Sequence, residues 1–410
     1  MSVFLLISLI GWAAVVSLAL LRSRAYATFR GITLGLQVVF AATLAHRFQQ
    51  LPWLFWVFCY LHAVVFVQAL GLIRPRMRSW LYRALVSVPG SFFAAGTLLA
   101  LPWVLAKAAG FELPGVFLPY AAAGVGVLQS LWSREETRDI VVADAEVVPA
   151  LARHRAGSAR VKRPLRLVQI TDPHLGPFMS VERLAAICQR AVDKKPDLIV
   201  LTGDFLTMES QADPELLERA LAPLGQLPGR VFACFGNHDH EAPHIVRRAL
   251  SSNGVTLLND DATTLETGAG LVQIVGMDFV WRERKAHLAR VCAEHPRVQG
   301  ALRIVLLHDP GAFQHLPEGE ADLVLSGHTH GGQVGLVSLG LPHTMMRAFV
   351  KMPDHGLWAR GTDRLYVHRG TGHYGFPLRL GVPAEESVLT VHSPAHHGER
   401  QTPQTPGYTY

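Results

Sequence analysis

The chain has 410 residues, 50% of them hydrophobic and 17% charged, which is room for two or three domains and far too apolar for an unfolded chain. Its net charge of +6 is unevenly held: residues 1–132 carry nine Lys/Arg against one acid, Glu112, for +8, and the remainder carries −2. The positive charge thus belongs to the apolar first third, which excludes nucleic acid as a partner, and Cys59, Cys188, Cys234 and Cys292 form no CxxC pair, which excludes a disulfide framework or zinc knuckle.

Residues 1–132 contain five apolar runs, near Val3–Leu21, Gly31–Leu44, Trp53–Ile73, Leu81–Ala106 and Leu113–Leu131. A bilayer-spanning helix needs about 20 mostly apolar residues, so the runs predict a transmembrane domain of about five helices. The second is the shortest, since His46 and Arg47 end it. The first lacks a basic start and a small-residue cleavage site, so it is expected to remain as a helix. Arg22, Arg24 and Arg30 follow the first run, Arg74, Arg76, Arg78 and Arg83 the third, and Arg134 and Arg138 the fifth. Loops rich in Lys/Arg stay on the cytoplasmic side, so an integral protein of the bacterial inner membrane with a cytoplasmic C-terminal part is expected. No acid lies inside the runs, and His62 has no obvious polar partner, so an anchor is expected rather than a transport path.

Residues 133–164 are read as a basic linker, 165–394 as a catalytic domain, and 395–410, rich in Pro, Gln, Thr and His, as a disordered tail. In the middle region LRLVQITD, DLIVLTGD, RVFACFGNHD, LVQIVGMD, RIVLLHDP and ADLVLSGHTH each predict a buried strand ending in polar or Gly residues. Amphipathic helices are predicted near Val181–Lys194, Pro214–Leu221, Pro243–Ser251 and Glu283–Ala293. This alternation predicts an α/β domain whose chemistry collects beyond the C-terminal strand ends.

Those ends spell Asp172-x-His174, Gly203-Asp204, Gly236-Asn237-His238-Asp239, His308 and Gly327-His328-Thr329-His330. Carboxylate, imidazole and amide oxygen without thiolate suit divalent ions such as Mn, Fe or Zn. Ser326 and Thr202 sit in no GxSxG or base-paired setting, so no covalent nucleophile is expected.

The five elements resemble the calcineurin-like metallophosphoesterase superfamily, with its DxH, GD, GNH(D/E), H and GHxH pattern, from about Leu165 to His392. The resemblance implies a four-layer αββα fold joined here to the multi-pass α-helical membrane domain. It also implies a binuclear centre of two divalent ions, Mn foremost and Fe, Zn or Ni as alternatives. Asp172, His174 and His330 would hold one metal, Asn237, His308 and His328 the other, and Asp204 would bridge them. A hydroxide shared by the metals would attack phosphorus. His238 would stabilise the transition state or protonate the leaving group, with Asp239 orienting it. Many relatives have an Asp where this chain has Thr207, which is not a ligand position. His240, His244, His368 and His373 are expected outside the ligand set.

ITDPHLG, GHTHGGQV and GTGHYGFPLRLGVPAEESVLTV are similar to the membrane-associated bacterial branch typified by YkuE and YaeI, which also contains LpxG, a hydrolase of UDP-2,3-diacylglucosamine. The expected partners are therefore the bilayer and a lipid or lipid-linked phosphoester. A glycerophospholipid phosphodiesterase is the alternative within enzymes, and a non-catalytic membrane receptor or scaffold retaining the fold is the alternative outside them. Leu341–Gly361, with Met345, Met346, Phe349, Val350, Met352 and Trp358 beside Arg347, Lys351 and Arg360, is expected to enter the membrane interface.

Overall fold

The computed structural model describes residues 2–74, 76–142, 147–155, 157 and 161–393. The tail at 395–410 lies outside these residues. The described cysteines are unpaired.

All five apolar runs are helical, but they divide differently from the expectation. Helix α1 (Val3–Ala19) is followed by α2 (Arg24–Phe48), whose start is fixed by Ser23 accepting from the Tyr26 amide. That cap starts the helix seven residues before Gly31, so the shortest predicted run becomes the longest helix, of 25 residues. Helix α3 (Pro52–Gly71) has 20 residues and Pro52 in its first turn. Helix α4 (Trp80–Leu99) contains a π-helical turn at Arg83–Ser87 and is bent by 47° from α5 (Leu101–Ala108). Helix α6 (Leu118–Ser130) has only 13 residues.

At 1.5 Å per residue, α2 and α3 match a hydrocarbon core of about 30 Å while α1 and α6 fall short. Among the described residues two helices are long and apolar enough to cross a membrane, or three if α4 and α5 form one broken span. The start of the fifth run is a loop instead, held by Glu112 against Arg47 and Lys107 and by Trp103 donating to the Pro114 carbonyl. His62 does have a polar partner: its Nε2 lies 3.0 Å from Ser8 Oγ on α1.

The remaining chain forms two sheets face to face. The first has strand order β1-β13-β3-β4-β5-β6 and the second β2-β11-β12-β10-β9-β8-β7, where β6 is Thr256–Leu257, β7 Asp261–Thr267, β8 Gly270–Met277 and β12 Asp363–Val367. The strands that matter for the site are β3 (Leu165–Ile170), β4 (Leu198–Leu201), β5 (Val231–Ala233), β9 (Leu302–Leu307) and β10 (Leu323–Ser326). They carry apolar residues on both faces because both are covered. Leu165, Leu167, Leu198 and Val200 pack between the sheets with Leu302, Ile304, Leu323 and Leu325. Val168, Ile170, Ile199 and Leu201 face outward against α7 (Val181–Asp193), α8 (Pro214–Leu221) and α9 (Pro243–Ser252). On the far side Val275, Val305, Leu307 and Val324 pack against Leu288 and Val291 of α10 (Arg284–Glu294). The result is the expected αββα order. Gln169 ties the sheets at their upper edge by donating to the Ser326 carbonyl and to Thr202 Oγ1.

The stretch read as a linker is instead part of both sheets. Strand β1 (Ser133–Val141) pairs in parallel with all of β13 (Ala384–His392), and β2 (Val148–Arg153) pairs with β11 (Gly356–Gly361). The charged pattern of β1 concealed it: Ile140, Val141 and Val142 are buried, while Glu136 is paired with Arg369, which also meets Glu385 of β13. Ile140 belongs to the core between the sheets. Ile140→Ala in the full chain should therefore cost about 2–5 kcal/mol, the range for truncating a buried Ile. The check is a lowered melting temperature in detergent; an unchanged one would return this stretch to a solvated linker.

The two halves are joined by specific contacts. Leu378 inserts beside Ala95 and Ala123 of the helical bundle, and Ser130 Oγ accepts from the Arg379 amide at 2.8 Å. Gln129 bonds Gly381 and Ser338, and Arg83 donates to the Pro177 carbonyl at 2.7 Å. The last turn of α6 thus docks the loops of the sheet domain.

Candidate metal centre

The parallel strands β3, β4 and β5 of one sheet and β9 and β10 of the other end at the same edge, and the polar residues that follow them converge there. Asp172, His174 and His330 form one buried group able to hold a metal ion, and Asp204, His308 and His328 a second; in each group the ligand atoms lie within 4.8 Å of one another. The groups interlock. Asp204 Oδ2 lies 3.2 Å from His308 Nε2 and 3.6 Å from His174 Nε2, so it reaches both. Asp172 Oδ1 lies 3.5 Å from His330 Nε2 and 4.0 Å from His308 Nε2.

Asn237 follows β5, and its Oδ1 is buried without a hydrogen-bond partner. A buried orphan amide oxygen is costly unless something electropositive meets it. The donor set of carboxylate, imidazole and amide oxygen therefore fits two divalent cations.

The other ring nitrogens are fixed by the protein. His174 Nδ1 lies 3.3 Å from the Leu206 carbonyl and His308 Nδ1 2.6 Å from the Thr202 carbonyl, contacts that select the tautomer with Nε2 free to ligate. Burial holds His174 at about 3 and His328 at about 4, and His330 well below its ordinary value, so these rings are neutral and their lone pairs available. His308 goes the other way: burial would lower it, but the charge and hydrogen bond of Asp204 raise it to about 10. Asp172 is pushed up to about 6 by burial, partly offset by His308.

The backbone here is strained. Asp172, His174, Asp204, His328 and His330 all have φ between 45° and 66°. Such left-handed conformations cost of order 1–3 kcal/mol each and cluster where function over-determines them. The loops can cross this tightly because of glycine: a Cβ on Gly203 would meet the Gly236 nitrogen at 2.2 Å, and one on Gly327 would meet Asp172 Oδ2 at 2.1 Å.

One expected role changes. Asp239 does not orient His238. Its carboxylate accepts the backbone N–H groups of Asp204, Phe205 and Gly236 at 2.7–2.9 Å, so it fixes the loop that presents Asp204. His238 is oriented instead by Glu241, whose Oε1 lies 2.8 Å from Nδ1, while the His238 amide donates to Asp204 Oδ1. Burial lowers the His238 pKa, but Glu241 and Asp204 outweigh it and leave the imidazole above its ordinary value.

Glu241 stands one helical turn after His238 and was legible only as a spacing of three. Tyr374 stacks on His174 at 4.9 Å and meets His238 edge-on at 4.8 Å. Arg379, fully buried, donates to the His330 and Arg369 carbonyls at 3.1 and 2.7 Å. Both lie in the GTGHYGFPLRLGVPAEESVLTV stretch, but the motif gave neither of them a role.

His240 and His368 lie outside the two groups, paired with Asp278 and near Glu385. Thr207 bonds the Leu175 carbonyl and Glu209. The segment expected at the membrane interface divides. Met345, Phe349 and Val350 are exposed, Phe349 to 83%, whereas Trp358 and Arg360 are buried in β11.

The sequence pattern of the calcineurin-like phosphoesterases matches residues 165–332. Phosphodiesterase YaeI of Escherichia coli is 31% identical over 248 residues, covering 59% of this chain and 87% of that protein. The metallophosphoesterase YkuE of Bacillus subtilis is 29% identical, covering 56% and 79% respectively. A transmembrane protein with metallophosphoesterase domain from Danio rerio is 30% identical, covering 55% and 53%.

Proposed function

The chain belongs to the calcineurin-like phosphoesterase family and is a membrane-associated, metal-dependent phosphoester hydrolase, and from that premise we propose that it is a phosphodiesterase acting on a lipid or lipid-linked substrate. UDP-2,3-diacylglucosamine is one member of that class. Asp172, His174 and His330 would hold one cation, Asn237, His308 and His328 the other, with Asp204 between them; Mn²⁺ is the first candidate for both. The observation that carries this reading is the pair of interlocked, buried Asp/His groups beside the orphan oxygen of Asn237.

Bound cations would lower the pKa of water from 15.7 to about 7 and neutralise phosphoryl oxygens. The chain's own residues do the rest. Asp239 and Gly203 hold Asp204 in place, carbonyl contacts fix the imidazole tautomers, and His238 keeps a proton on Nδ1 toward Glu241 so that Nε2 can serve the leaving oxygen.

A cytoplasmic catalytic domain is supported by where the basic loops lie. Arg83 bonds the catalytic loop at Pro177, and Arg22 bonds the Leu72 carbonyl, so the Arg-rich end of the bundle is the end carrying the catalytic domain. This holds whatever the number of spans. A bacterial inner membrane is the setting that fits.

The test uses the detergent-purified full chain. Treatment with a chelator should remove hydrolysis of bis(p-nitrophenyl) phosphate, and Mn²⁺ should restore it. Incubation with a lipid extract should then release a phosphorylated head group identifiable by mass spectrometry. Hydrolysis that persists after the metal is removed would overturn the metal-dependent reading.

A further inference from the structure

A cavity of about 300 Å³ lies where the helical bundle meets the catalytic loops. On the bundle side it is walled by α2, α3 and α4, and the lip residues Phe29, Leu36 and Leu98 are 49%, 46% and 39% exposed. Exposed apolar residues on helices of this hydropathy face lipid, so the cavity opens sideways toward the acyl region of a bilayer. Its inner wall is mostly apolar, with Leu34 and Val65 buried beside the polar side chains of Gln37 and Ser91. At the catalytic end it is closed by Phe178, His373 and Tyr374. Tyr374 is the ring that stacks on His174, so one aromatic ring separates this cavity from the candidate metal ligands.

The charges are arranged along the same axis. Arg30 lines the cavity, and Arg22 and Arg30 are close enough for their charge to act on Glu209 and Tyr374 at its catalytic end. A mostly apolar slot open to the bilayer, passing the Arg30 guanidinium beside Glu209 and ending at a phosphoesterase centre, is complementary to one class of molecule. It is a phosphoester carrying an acyl or alkyl chain, with the anionic head at Tyr374 and the chain running back between the helices.

We propose that this cavity is the chain-binding site of the enzyme, and that α2 and α4 are part of its substrate pocket rather than only its anchor. The proposal rests on the phosphodiesterase reading above and adds the place where the apolar part of the substrate is held. It also accounts for the specific docking of Leu378, Arg379 and Gly381 on the bundle, since a pocket shared by two halves needs their relative position fixed.

The test is a series of p-nitrophenyl alkyl phosphates from methyl to hexadecyl, hydrolysed by the full chain in mixed micelles at fixed surface concentration. For the wild type, kcat/KM should rise by up to about fourfold for each methylene that enters the cavity and then level off. Ala94→Phe and Thr33→Phe each narrow the cavity from a different helix, and both should bring the plateau to a shorter chain. Val39→Phe enlarges an exposed position of α2 outside the lining and should leave the profile as in the wild type. The profile is a ratio within each variant, so partial loss of folded protein cancels, and micellar partitioning is common to all. A wild-type profile independent of chain length, or cavity variants with the wild-type plateau, would overturn the proposal.

Binding is measured separately with hexadecyl phosphate bearing a terminal diazirine. Labelling of peptides containing Leu34 or Ala94, competed by unlabelled hexadecyl phosphate, is expected even if no ester in the series is cleaved. Absence of competed labelling there would overturn the cavity assignment, while absence of cleavage with labelling intact would overturn only the catalytic reading.

Discussion

Replacing Asp204 with asparagine should reduce hydrolysis of bis(p-nitrophenyl) phosphate by at least about 10³-fold and lower the divalent metal retained after desalting. The expectation follows from the two oxygens of this carboxylate having different work. Oδ1 accepts the His238 amide at 2.8 Å, a contact that the amide oxygen of Asn can reproduce, so the strained loop should survive. Oδ2 faces His308 and His174, which belong to different groups, and Asn would place there either a neutral oxygen or an N–H that repels a cation. The site would also lose one of the two buried carboxylates that offset the positive charge of two dications, in surroundings where that charge is poorly screened. Metal content by inductively coupled plasma mass spectrometry and kcat together decide the matter. If both survive the substitution, Asp204 is not shared between two cations.

How much of this centre was legible in the sequence depended on whether the signal was local. Each of Asp172, His174, Asp204, Asn237, His308, His328 and His330 directly follows a run of buried strand residues, so chain order and the rule that α/β sites gather at strand ends were enough to bring them together. The αββα layering was legible for the same reason: strands such as LRLVQI and RIVLLH are apolar on both faces, which requires cover on both. What was not legible is non-local. Strand β1 is polar at most positions, and only its pairing with β13, some 250 residues away, brings its buried Glu136 to Arg369 and gives Ile140 a core to enter. The role given to Asp239 failed because adjacency in sequence was taken for contact, whereas a tight turn aims its carboxylate back at the amides of Gly236, Asp204 and Phe205. In the membrane third, hydropathy located the helical segments but neither their number nor their ends, since Ser23 and the Pro114 loop fix ends through single hydrogen bonds and a 47° bend divides the fourth run. The left-handed φ values of five proposed ligands had no sequence signal beyond Asp and His tolerating such conformations better than branched residues do.

His238→Ala should leave the metal content intact and lower kcat by about 10²–10⁴-fold, the usual contribution of a positioned proton donor. His238 has no part in either of the two groups able to hold a metal; its ring stands beside them, 5.5 Å from that of His174 and edge-on to Tyr374. Its usefulness depends on Glu241, because an imidazole with one nitrogen committed to a carboxylate has its other nitrogen in a defined state. Glu241→Gln keeps a hydrogen-bond partner but removes the charge, and since the Glu241 side chain is 41% exposed the loss should lie at the low end of the range for an orienting partner, about 10-fold. If Glu241 works through His238, the second substitution should have no further effect in a His238→Ala background, a coupling that the double-mutant cycle measures directly. The leaving group supplies an independent axis. A donor of protons matters most when the departing oxygen is basic, so His238→Ala should cost less with p-nitrophenol as leaving group than with an alkyl alcohol. Equal losses on both esters, with additive effects of the two substitutions, would make His238 a binding group for the phosphoryl oxygens and would detach Glu241 from proton transfer.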